Sequence, residues 1–371
     1  MPATPEGSTA PEHAILDAVL GGDEDAFRRL VEPHRSGLHA HCYRMLGSVH
    51  DVEDVLQEVL LRAWRSLAGF EPGRPLRPWL YKIATNACLD AIARQPRHQL
   101  PADDGPHTRW PPETGMPFPP PAWVEPYPDG QLGFQDGPAA PEARYEQREG
   151  VELAFIAALQ HLPASQRAVL ILRDVLGFSA REVAETLETT VAAANSALQR
   201  ARSAVEQRTP DESQQKTLRA LGDERVREIV QKYVDAWDRD DVDGVIAMLT
   251  DDAAFSMPPL RTWFRGRDAL RIFLAGWPLS GAWRWRMVET RANGQPALAF
   301  YTWDPDEESF LPFALNVFTF RGDRISDVTA FVSRSTELPE REVYERWPDQ
   351  PADPVRLAAT FENFDLPERL D

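Results

Sequence analysis

The sequence contains only two cysteines, Cys42 and Cys88, and no long apolar run. The cysteines lack metal-ligand spacing and fall on apolar helical faces, so we expect buried thiols. No stretch reaches the roughly 18 apolar residues that a membrane span needs. The first residues, MPATPEGSTAPEH, lack the basic and then apolar order of a signal peptide. These absences predict a cytoplasmic protein with no metal, no cofactor and no membrane partner.

Positive charge is scarce, and its distribution is uneven. The formal net charge of the 371 residues is −18. Residues 13–97 carry 11 acidic and 11 basic side chains and residues 146–208 carry 8 and 7, whereas residues 209–371 carry 30 and 20. Such a chain should not coat nucleic acid indiscriminately. The length predicts two or three domains, and we expect the isolated chain to bind DNA weakly and to depend on a larger partner.

Residues 70–99 join a loop rich in Gly and Pro to a helix of mixed character. Apolar side chains recur at helical spacing from Trp79 to Ile92, and Pro78 fits a first helical turn. Between Phe70 and Arg97 there are five Lys or Arg against two Asp or Glu. A basic helix with aromatics in an acidic chain indicates contact with a nucleic acid strand. From this helix alone, a core helix with a solvated face is an equal alternative.

The preceding helix carries an apolar stripe and an acidic stripe. The pattern D-x-E-D-x-x-Q-E-x-x-x-R-A-W, followed by W-L-Y-x-I-A-x-N-x-x-x-D, resembles region 2 of the sigma-70-type initiation factors, in their extracytoplasmic-function group. The resemblance implies that part of this helix faces the clamp of core RNA polymerase, through Asp51, Asp54, Gln57 and Glu58. It also implies that the next segment captures and melts the −10 promoter element, with candidate residues Arg74, Arg77, Trp79, Tyr81, Lys82, Asn86, Asp90 and Arg94.

Residues 99–145 differ in composition from both flanks. They hold twelve prolines and show no helical or strand period, so we expect an extended, semi-rigid linker. A plain spacer and an acidic tether that mimics nucleic acid in the polymerase channel are both open. Trp123 and Tyr127 are unusually apolar for a free linker. The resemblance to family members with long C-terminal extensions, which have a W-x-x-P element here, implies that these two residues dock on another domain.

Residues 146–208 return to helices. Ser179 and Glu182 form a capping box, Thr190 can cap a longer helix, and Gly177 is placed to end the helix before them. Two helices joined by a tight turn predict a helix-turn-helix, with an ordinary helical hairpin as the alternative. The order L-P-x-x-x-R-x-V-L, G-F-S-x-x-E-V-A and A-L-x-R-A-R resembles sigma region 4. That resemblance implies contact with the polymerase flap and −35 binding by Thr190, Ala193, Asn195, Ser196, Gln199 and Arg200.

One position departs from the family pattern, because Glu188 stands where relatives usually have Gly in the turn. A left-handed conformation there would cost Glu roughly 1 kcal/mol. The geometry of this turn is therefore an open point of the prediction.

Residues 222–336 predict amphipathic helices, a strand within DDAAFSMPP (251–259) and then four strands in an antiparallel meander. This α+β cone resembles SnoaL-like, nuclear-transport-factor-like domains, through the A-x-W-x-x-x-D helix and the segment from Phe264 to Leu270. The acidic tail, 337–371, has no readable role. The fold class is thus multi-domain: two all-α sigma domains (13–98 and 146–208), a linker (99–145) and an α+β cone.

Some SnoaL-like proteins are cyclases or isomerases, so an enzyme is the alternative to a binding module. All eight histidines lie at or before His161, and the carboxylates and amide left as pocket candidates are Asp252, Asp304, Asp327 and Asn316. Solvated surface residues are the favoured interpretation of these four. We therefore predict a sigma factor with no catalytic residue, whose third domain regulates it and is a candidate to bind a small molecule. A helix-turn-helix repressor is a further alternative.

Overall fold

The computed structural model describes residues 18–19, 21–70, 74–94, 98–108, 123–132, 148–333 and 359–371. The predicted first helix around Ile15 and Leu16, the middle of the linker and most of the acidic tail lie outside these residues. The helices are α1 (Glu24–Leu46), α2 (Val49–Ser66), α3 (Leu76–Ile92), α4 (Pro101–Asp104), α5 (Leu153–Gln160), α6 (Ala164–Leu170), α7 (Ala180–Thr186), α8 (Val191–Glu206), α9 (Gln214–Leu221), α10 (Asp223–Asp238), α11 (Val242–Met248) and α12 (Arg267–Gly276). The strands are β1 (Leu249–Ser256), β2 (Trp263–Arg265), β3 (Trp285–Ala292), β4 (Gln295–Asp304), β5 (Ser309–Arg321) and β6 (Arg324–Val332).

The chain forms two compact units that do not follow simple sequence order. Of the described residues, the first unit contains 18–94, 131–132 and 158–208, apart from the gaps given above. The second contains 98–108, 123–130, 148–157, 209–333 and 359–371. Both predicted sigma domains therefore contribute to the first unit, and most of the described part of the predicted linker belongs to the second.

In the first unit, local sequence sets the ends of α1 and α2. The Asp23 carboxylate accepts a hydrogen bond from the N–H of Ala26 at the start of α1. Gly47 ends α1 in the left-handed conformation with φ 76°, and the Ser48 hydroxyl caps α2. These two caps produce a short turn that reverses the direction of the chain. As a result, α1 and α2 bury their apolar faces against each other and against α3.

The predicted helix-turn-helix is present in the same unit. Ser179 and Glu182 form both hydrogen bonds of the capping box, and Thr190 caps α8 through the N–H of Ala193 at 3.1 Å. Gly177 has φ 72° at the predicted helix end. The helix before it is less regular than predicted, because α6 passes into a π-helical turn over Ile171–Val175.

The second unit is built on a six-stranded sheet of order β2-β1-β6-β5-β4-β3. The predicted meander corresponds to the antiparallel strands β3 to β6. The meander alone is an incomplete description, because β1 pairs in parallel with β6 and β2 extends the sheet. Helices α10 to α12 contribute to one hydrophobic core with the strands, which includes Tyr233, Trp237, Phe273, Phe300 and Phe318.

Segments far from the sheet in sequence add to the second unit. Residue Pro128 forms a bridge with Ala292 at the end of β3, and the backbone groups of Phe310 and Leu370 exchange hydrogen bonds. Near α9, Glu152 accepts a hydrogen bond from the N–H of Gln215 at 2.7 Å. The end of the acidic tail, which had no readable role in the sequence, therefore pairs with β5.

Candidate nucleic-acid interface

The acidic face of α2 presents three of the four residues predicted to contact polymerase. Asp54 and Gln57 are exposed and Glu58 is half-buried. Asp51 is only 5% exposed, and its N–H donates to the Ser48 cap. The structure therefore places Asp51 at the buried start of the helix and not on the surface formed by the other three.

Arg62 connects the predicted polymerase surface with the predicted DNA surface. Its guanidinium binds Glu58 on α2 at 2.7 Å and Asp90 on α3 at 2.9 Å. The first contact is visible in the sequence as a spacing of four on one helix. The second joins residues 28 positions apart, so no local pattern indicates it.

Four predicted −10 residues form one stripe along α3 and its C-terminal end. Lys82, Asn86 and Asp90 recur at intervals of four on one side of the helix, and Arg94 continues the spacing two residues past its end. The first two are half-buried and the last two are exposed, and Arg74 is exposed before the helix begins. A stripe that combines cationic groups and an amide suits contact with phosphates and base edges.

The two aromatic candidates on α3 are less accessible than the stripe. Trp79 is half-buried, and its ring lies 5.0 Å from the ring of Phe70. Tyr81 is 5% exposed and contacts the His41 ring edge-on at 5.3 Å. Burial, with Arg44 and Arg77 nearby, lowers the pKa of His41 to about 3, so this histidine is a neutral support beneath Tyr81.

The start of α3 contacts the turn before α7 within the first unit. The Arg77 guanidinium lies 4.5 Å from the centre of the Phe178 ring and donates to the Leu176 carbonyl at 2.9 Å. The Tyr81 and Phe178 rings are 5.5 Å apart. Lys82 lies 3.4 Å from the Glu188 carboxylate. Part of the predicted −10 face is therefore engaged by residues of the second helical segment.

The predicted −35 residues lie together at the exposed side of α8. Thr190 occupies the cap, and Ala193, Asn195, Ser196, Gln199 and Arg200 are exposed, whereas Ala194 and Leu198 face the core. Arg202 binds Asp174 through two hydrogen bonds of 2.8 and 2.7 Å. This pair holds α8 against the π-helical turn and leaves the predicted −35 residues accessible.

Arg167 is a structural residue that the sequence pattern did not explain. It is 4% exposed, and its guanidinium donates to the carbonyls of Met45, Gln160 and Leu162. Since a buried guanidinium needs acceptors for its five N–H groups, these carbonyls account for the arginine of the L-P-x-x-x-R pattern. It joins α6 to the end of α1.

Trp123 and Tyr127 are both buried, at 2% and 0% exposure. The Tyr127 N–H donates to Asn293 Oδ1 at 2.9 Å, and the Asn293 N–H donates to the Tyr127 carbonyl at 2.8 Å. Asn293 Nδ2 also donates to the Val151 carbonyl at 2.8 Å. Asp129 accepts a hydrogen bond from the Gly294 N–H at 2.7 Å. The turn between β3 and β4 therefore holds both segments that flank residues 130–150.

The C-terminal cone contains a small cavity with a mostly apolar lining. Its volume is about 20 Å³, enough for about one water molecule. Its lining is aromatic and aliphatic apart from Asn316, which is 3% exposed and whose Oδ1 has no hydrogen-bond partner among the described residues. Of the four candidates from the sequence, only Asn316 lines this cavity, because Asp252, Asp304 and Asp327 lie elsewhere.

Those three carboxylates have local partners. Asp252 pairs with Arg321 at 3.0 Å, Asp304 accepts from the N–H groups of Asp306 and Glu307, and Asp327 accepts from the Ser326 hydroxyl. Burial raises the pKa of Asp327. The described part of the cone therefore offers its cavity one neutral amide and no titratable group.

Three successive segments of the chain match known protein families. Residues 30–98 match Sigma-70 region 2, residues 152–205 match Sigma-70 region 4, and residues 230–328 match the SnoaL-like domain. These matches cover most of the helices α1 to α3, the helix-turn-helix and most of the cone. The fold and its exposed helical faces thus define a sigma-70-type protein with an added α+β domain.

Individual proteins narrow the assignment. The ECF RNA polymerase sigma factor SigG of Mycobacterium tuberculosis is 40% identical over 307 residues, which are 82% of this chain and 81% of that protein. SigE of Mycolicibacterium smegmatis is 30% identical over 51% of this chain and 64% of its own length. The crystal structure of M. tuberculosis SigJ matches with a TM-score of 0.50 and 23% identity over 85% of this chain and 97% of that one, which shows a shared fold.

The chain therefore belongs to the ECF RNA polymerase sigma factors and carries a C-terminal SnoaL-like domain. Its partners are core RNA polymerase and promoter DNA. No helix in the described part of the chain is long and apolar enough to span a bilayer.

Proposed function

We propose that this sigma factor recognises a two-part promoter through α3 and α8 while α2 holds the polymerase clamp. The observation that carries the proposal is the stripe of Lys82, Asn86, Asp90 and Arg94 along α3 and its C-terminal end, of which the first two are half-buried and the last two exposed. Arg62 fixes this stripe to α2, where Asp54, Gln57 and Glu58 are assigned to the clamp. Opening the −10 region costs a few kcal/mol of base unstacking, which contacts with polymerase must offset.

We assign the −35 element to the exposed side of α8. We assign contact with the polymerase flap to the same helical segment. Small side chains at Ala192 and Ala193 let the start of α8 approach DNA closely, and Gln199 and Arg200 reach base edges or phosphates. Thr190 and Ala193 are joined by the cap hydrogen bond, so the backbone at this end is already ordered. This arrangement supports a helix inserted by its first turns into the major groove.

Run-off transcription with core polymerase tests these assignments in the full chain. Asn86→Ala and Arg94→Ala should lower open-complex formation several-fold, and pre-melted promoter DNA should restore part of it because unpairing is then already done. Arg65→Ala removes a charge at the exposed end of α2, outside the proposed sites, and serves as the control. Equal losses with Arg65→Ala would contradict the assignment of the stripe.

We assign the SnoaL-like domain a regulatory role and no catalytic one. Proton transfer requires a titratable group in contact with substrate, and the lining of the cone supplies only the Asn316 amide. The domain instead binds the linker through Asn293, which supports regulation through linker docking by Trp123 and Tyr127. A cyclase or isomerase, the alternative for this fold, lacks such a group in the described cavity.

A regulatory ligand for the cone would be small, neutral and able to donate a hydrogen bond to Asn316 Oδ1. Its entry requires the surrounding aromatic side chains to move, because the present cavity holds about one water. Thermal unfolding of the full chain with a library of small neutral amides and alcohols, compared with Asn316→Leu, tests this role. A shift that persists in the variant would place the ligand elsewhere. Since its partners act on the chromosome, we place the protein in the cytoplasm.

A further inference from the structure

Strand β5 of the cone has two successive partners along one edge. Strand β6 covers this edge only as far as Phe313, whose carbonyl accepts a hydrogen bond from the Ser333 N–H. Strand β5 begins earlier in the chain, so Phe310 lies beyond β6. Its N–H and its carbonyl both bond to the backbone of Leu370, at 2.8 and 2.9 Å. The tail segment (359–371) therefore continues the sheet at the position that β6 leaves open.

The tail segment also binds the cone through side chains. Phe361 is 3% exposed, and its ring meets the Tyr301 ring edge-on at 5.2 Å. The Tyr301 hydroxyl donates to the Pro367 carbonyl at 2.9 Å. Arg369 lies 3.9 Å from the Glu307 carboxylate. The cone thus contacts an aromatic ring, a backbone carbonyl and a cation, in that order along the tail segment.

The surface that receives these groups, which we name the tail groove, is formed by Tyr301, Glu307 and Phe310. In strand addition, an extended peptide pairs its main chain with a free sheet edge, and adjacent pockets select its side chains. Phe310 provides the main-chain pairing and Tyr301 the neighbouring pocket. Pro312, at the next position on this edge, has no N–H. Strand pairing therefore stops at Phe310, and side-chain contacts must provide the selectivity.

The shape of the tail segment follows from its own sequence. Residues 359–362 form one helical turn, and Asp365 after it adopts the left-handed conformation with φ 52°. Pro367 favours an extended backbone at the residue before it, which leads the chain to its pairing at Leu370. The pattern that the tail groove accepts is therefore an aromatic side chain on a helical turn, followed by L-P-x-x-L.

The covalent connection to the tail segment is much longer than the gap it closes. Ser333 is bound at Phe313 and Leu370 at Phe310, three residues apart on β5, which corresponds to about 10 Å. Residues 334–369 join these two points. A ligand tethered to its own site in this way has an effective concentration of about 1 mM. A free peptide of the same pattern can therefore compete with it.

We propose that the tail groove is a peptide-binding site that the chain fills with its own residues 359–371. The external ligand is an extended segment of a partner protein that carries the same pattern, an aromatic side chain followed by L-P-x-x-L. Such a segment displaces the tail segment and takes over its pairing with Phe310 and its hydrogen bond with Tyr301. The cone is then a protein-interaction module, a role independent of the promoter-binding residues proposed above.

The test uses a fluorescein-labelled peptide of residues 359–371 and two forms of the full chain. The parent keeps its tail segment in place. The open form carries Phe361→Ala and Leu370→Pro, which remove the buried ring and the N–H that donates to Phe310, while every residue of the tail groove is retained. Phe364→Ala is the matched control, because the Phe364 ring is only half-buried and has no aromatic partner in the described part of the chain.

We expect the peptide to bind the open form with a Kd on the order of 10 μM, and the parent and Phe364→Ala about 100-fold more weakly, because their tethered segment competes. Tyr301→Phe in the open form should weaken binding about three- to tenfold, since the ring stays and the hydrogen bond is lost. Equal affinity for the parent and the open form would overturn the inference. So would an absence of binding to an open form that keeps the circular dichroism spectrum of the parent.

A second measurement decides the question if the open form does not fold. Glu368→Cys carries a dye on an otherwise unchanged chain, at an exposed position that makes none of the contacts above, and Cys42 and Cys88 are buried. Unlabelled peptide at about 1 mM should release about half of the labelled segments and lower the dye anisotropy. The same peptide with Leu370→Pro should release none. A labelled segment that stays bound at about 10 mM peptide would refute the proposal.

Discussion

Tyr127 and Asn293 exchange two hydrogen bonds, one through the Asn293 backbone N–H and one through its side-chain Oδ1. The residues are 166 positions apart, and both are fully buried. Asn293 has φ 55° and is followed by Gly294 with φ 71°, the pattern of a tight hairpin turn. A turn that is favourable for β3 and β4 thereby also presents an amide to the linker.

Asn293→Gly should destabilise the second unit by about 2–3 kcal/mol. Glycine tolerates the left-handed backbone, so the loss comes from the Tyr127 N–H and the Val151 carbonyl, which lose their partners in a buried site. Thermal or urea unfolding of the full chain measures the change. Glu308→Gly, at another left-handed position in the same domain (φ 48°), is the control and should change stability by about 1 kcal/mol or less. Equal effects would show that the side-chain contacts are unimportant.

Asp54→Ala and Gln57→Ala should each weaken binding to core polymerase about three- to tenfold. The expected loss, about 0.7–1.4 kcal/mol, is typical of a contact in a protein interface outside its few dominant residues. A competition assay with a labelled sigma factor measures it. Glu53→Ala removes a neighbouring charge that contacts His39 and should retain full affinity. Loss of binding in this control would move the interface to another side of α2.

Arg200→Ala and Arg202→Ala should have opposite consequences although they are neighbours on α8. Arg200 is exposed on the proposed −35 face. We therefore expect its loss to weaken promoter binding by about 1–3 kcal/mol, to lower transcription from −35-dependent promoters and to leave Tm unchanged. Arg202 is paired with Asp174, so its loss should reduce stability by up to about 1 kcal/mol, since the pair is solvent-exposed. Transcription assays and thermal unfolding of both variants test this difference. A stability loss in Arg200→Ala together with a transcription loss only in Arg202→Ala would contradict the α8 assignment.

Glu152 predicts a pH dependence of stability. Burial raises the pKa of its carboxyl to about 7, although the N–H groups of Gln215 and Gln214 favour the charged form. Because the folded pKa lies above the unfolded one, this group contributes most below about pH 4.5, and its contribution falls as the pH rises through 7. A difference of this size corresponds to roughly 3 kcal/mol.

Glu152→Gln keeps an oxygen that can accept from the Gln215 N–H and removes the titration. We expect the variant to be less sensitive to pH than the parent between pH 5 and 8, and more stable at pH 8. Unfolding at four pH values measures this. The fixed contribution of other groups, including Asp327, cancels in the comparison. Parallel pH profiles of the parent and the variant would contradict the prediction.

The elements that sequence predicted well are those governed by neighbours. The capping box of Ser179 and Glu182, the Thr190 cap and the end near Gly177 of the helical segment that begins with α6 depend on residues within four positions of each other. Helical and strand periods likewise record which faces are apolar. The strands β3 to β6 and the helix-turn-helix follow from such local signals.

The features that sequence did not predict join distant positions. Asp51 has the spacing of an exposed acidic stripe, but its place beside the Ser48 cap buries it. Arg167 and Arg62 have partners on other helices, and Tyr127 has a partner in a strand turn. A one-dimensional pattern indicates that such residues are polar or aromatic, but it does not specify their partners. The parallel pairing of β1 with β6 was missed for the same reason.

The two anchors at the β3–β4 turn fix the ends of residues 130–150. Asp129 binds Gly294 on one side, and Val151 binds Asn293 on the other. Both anchors lie on the same two-residue turn, so a change that distorts the turn would release Asp129 and Val151 together. One short hairpin thereby governs the attachment of two segments that approach it from opposite ends of a long connection.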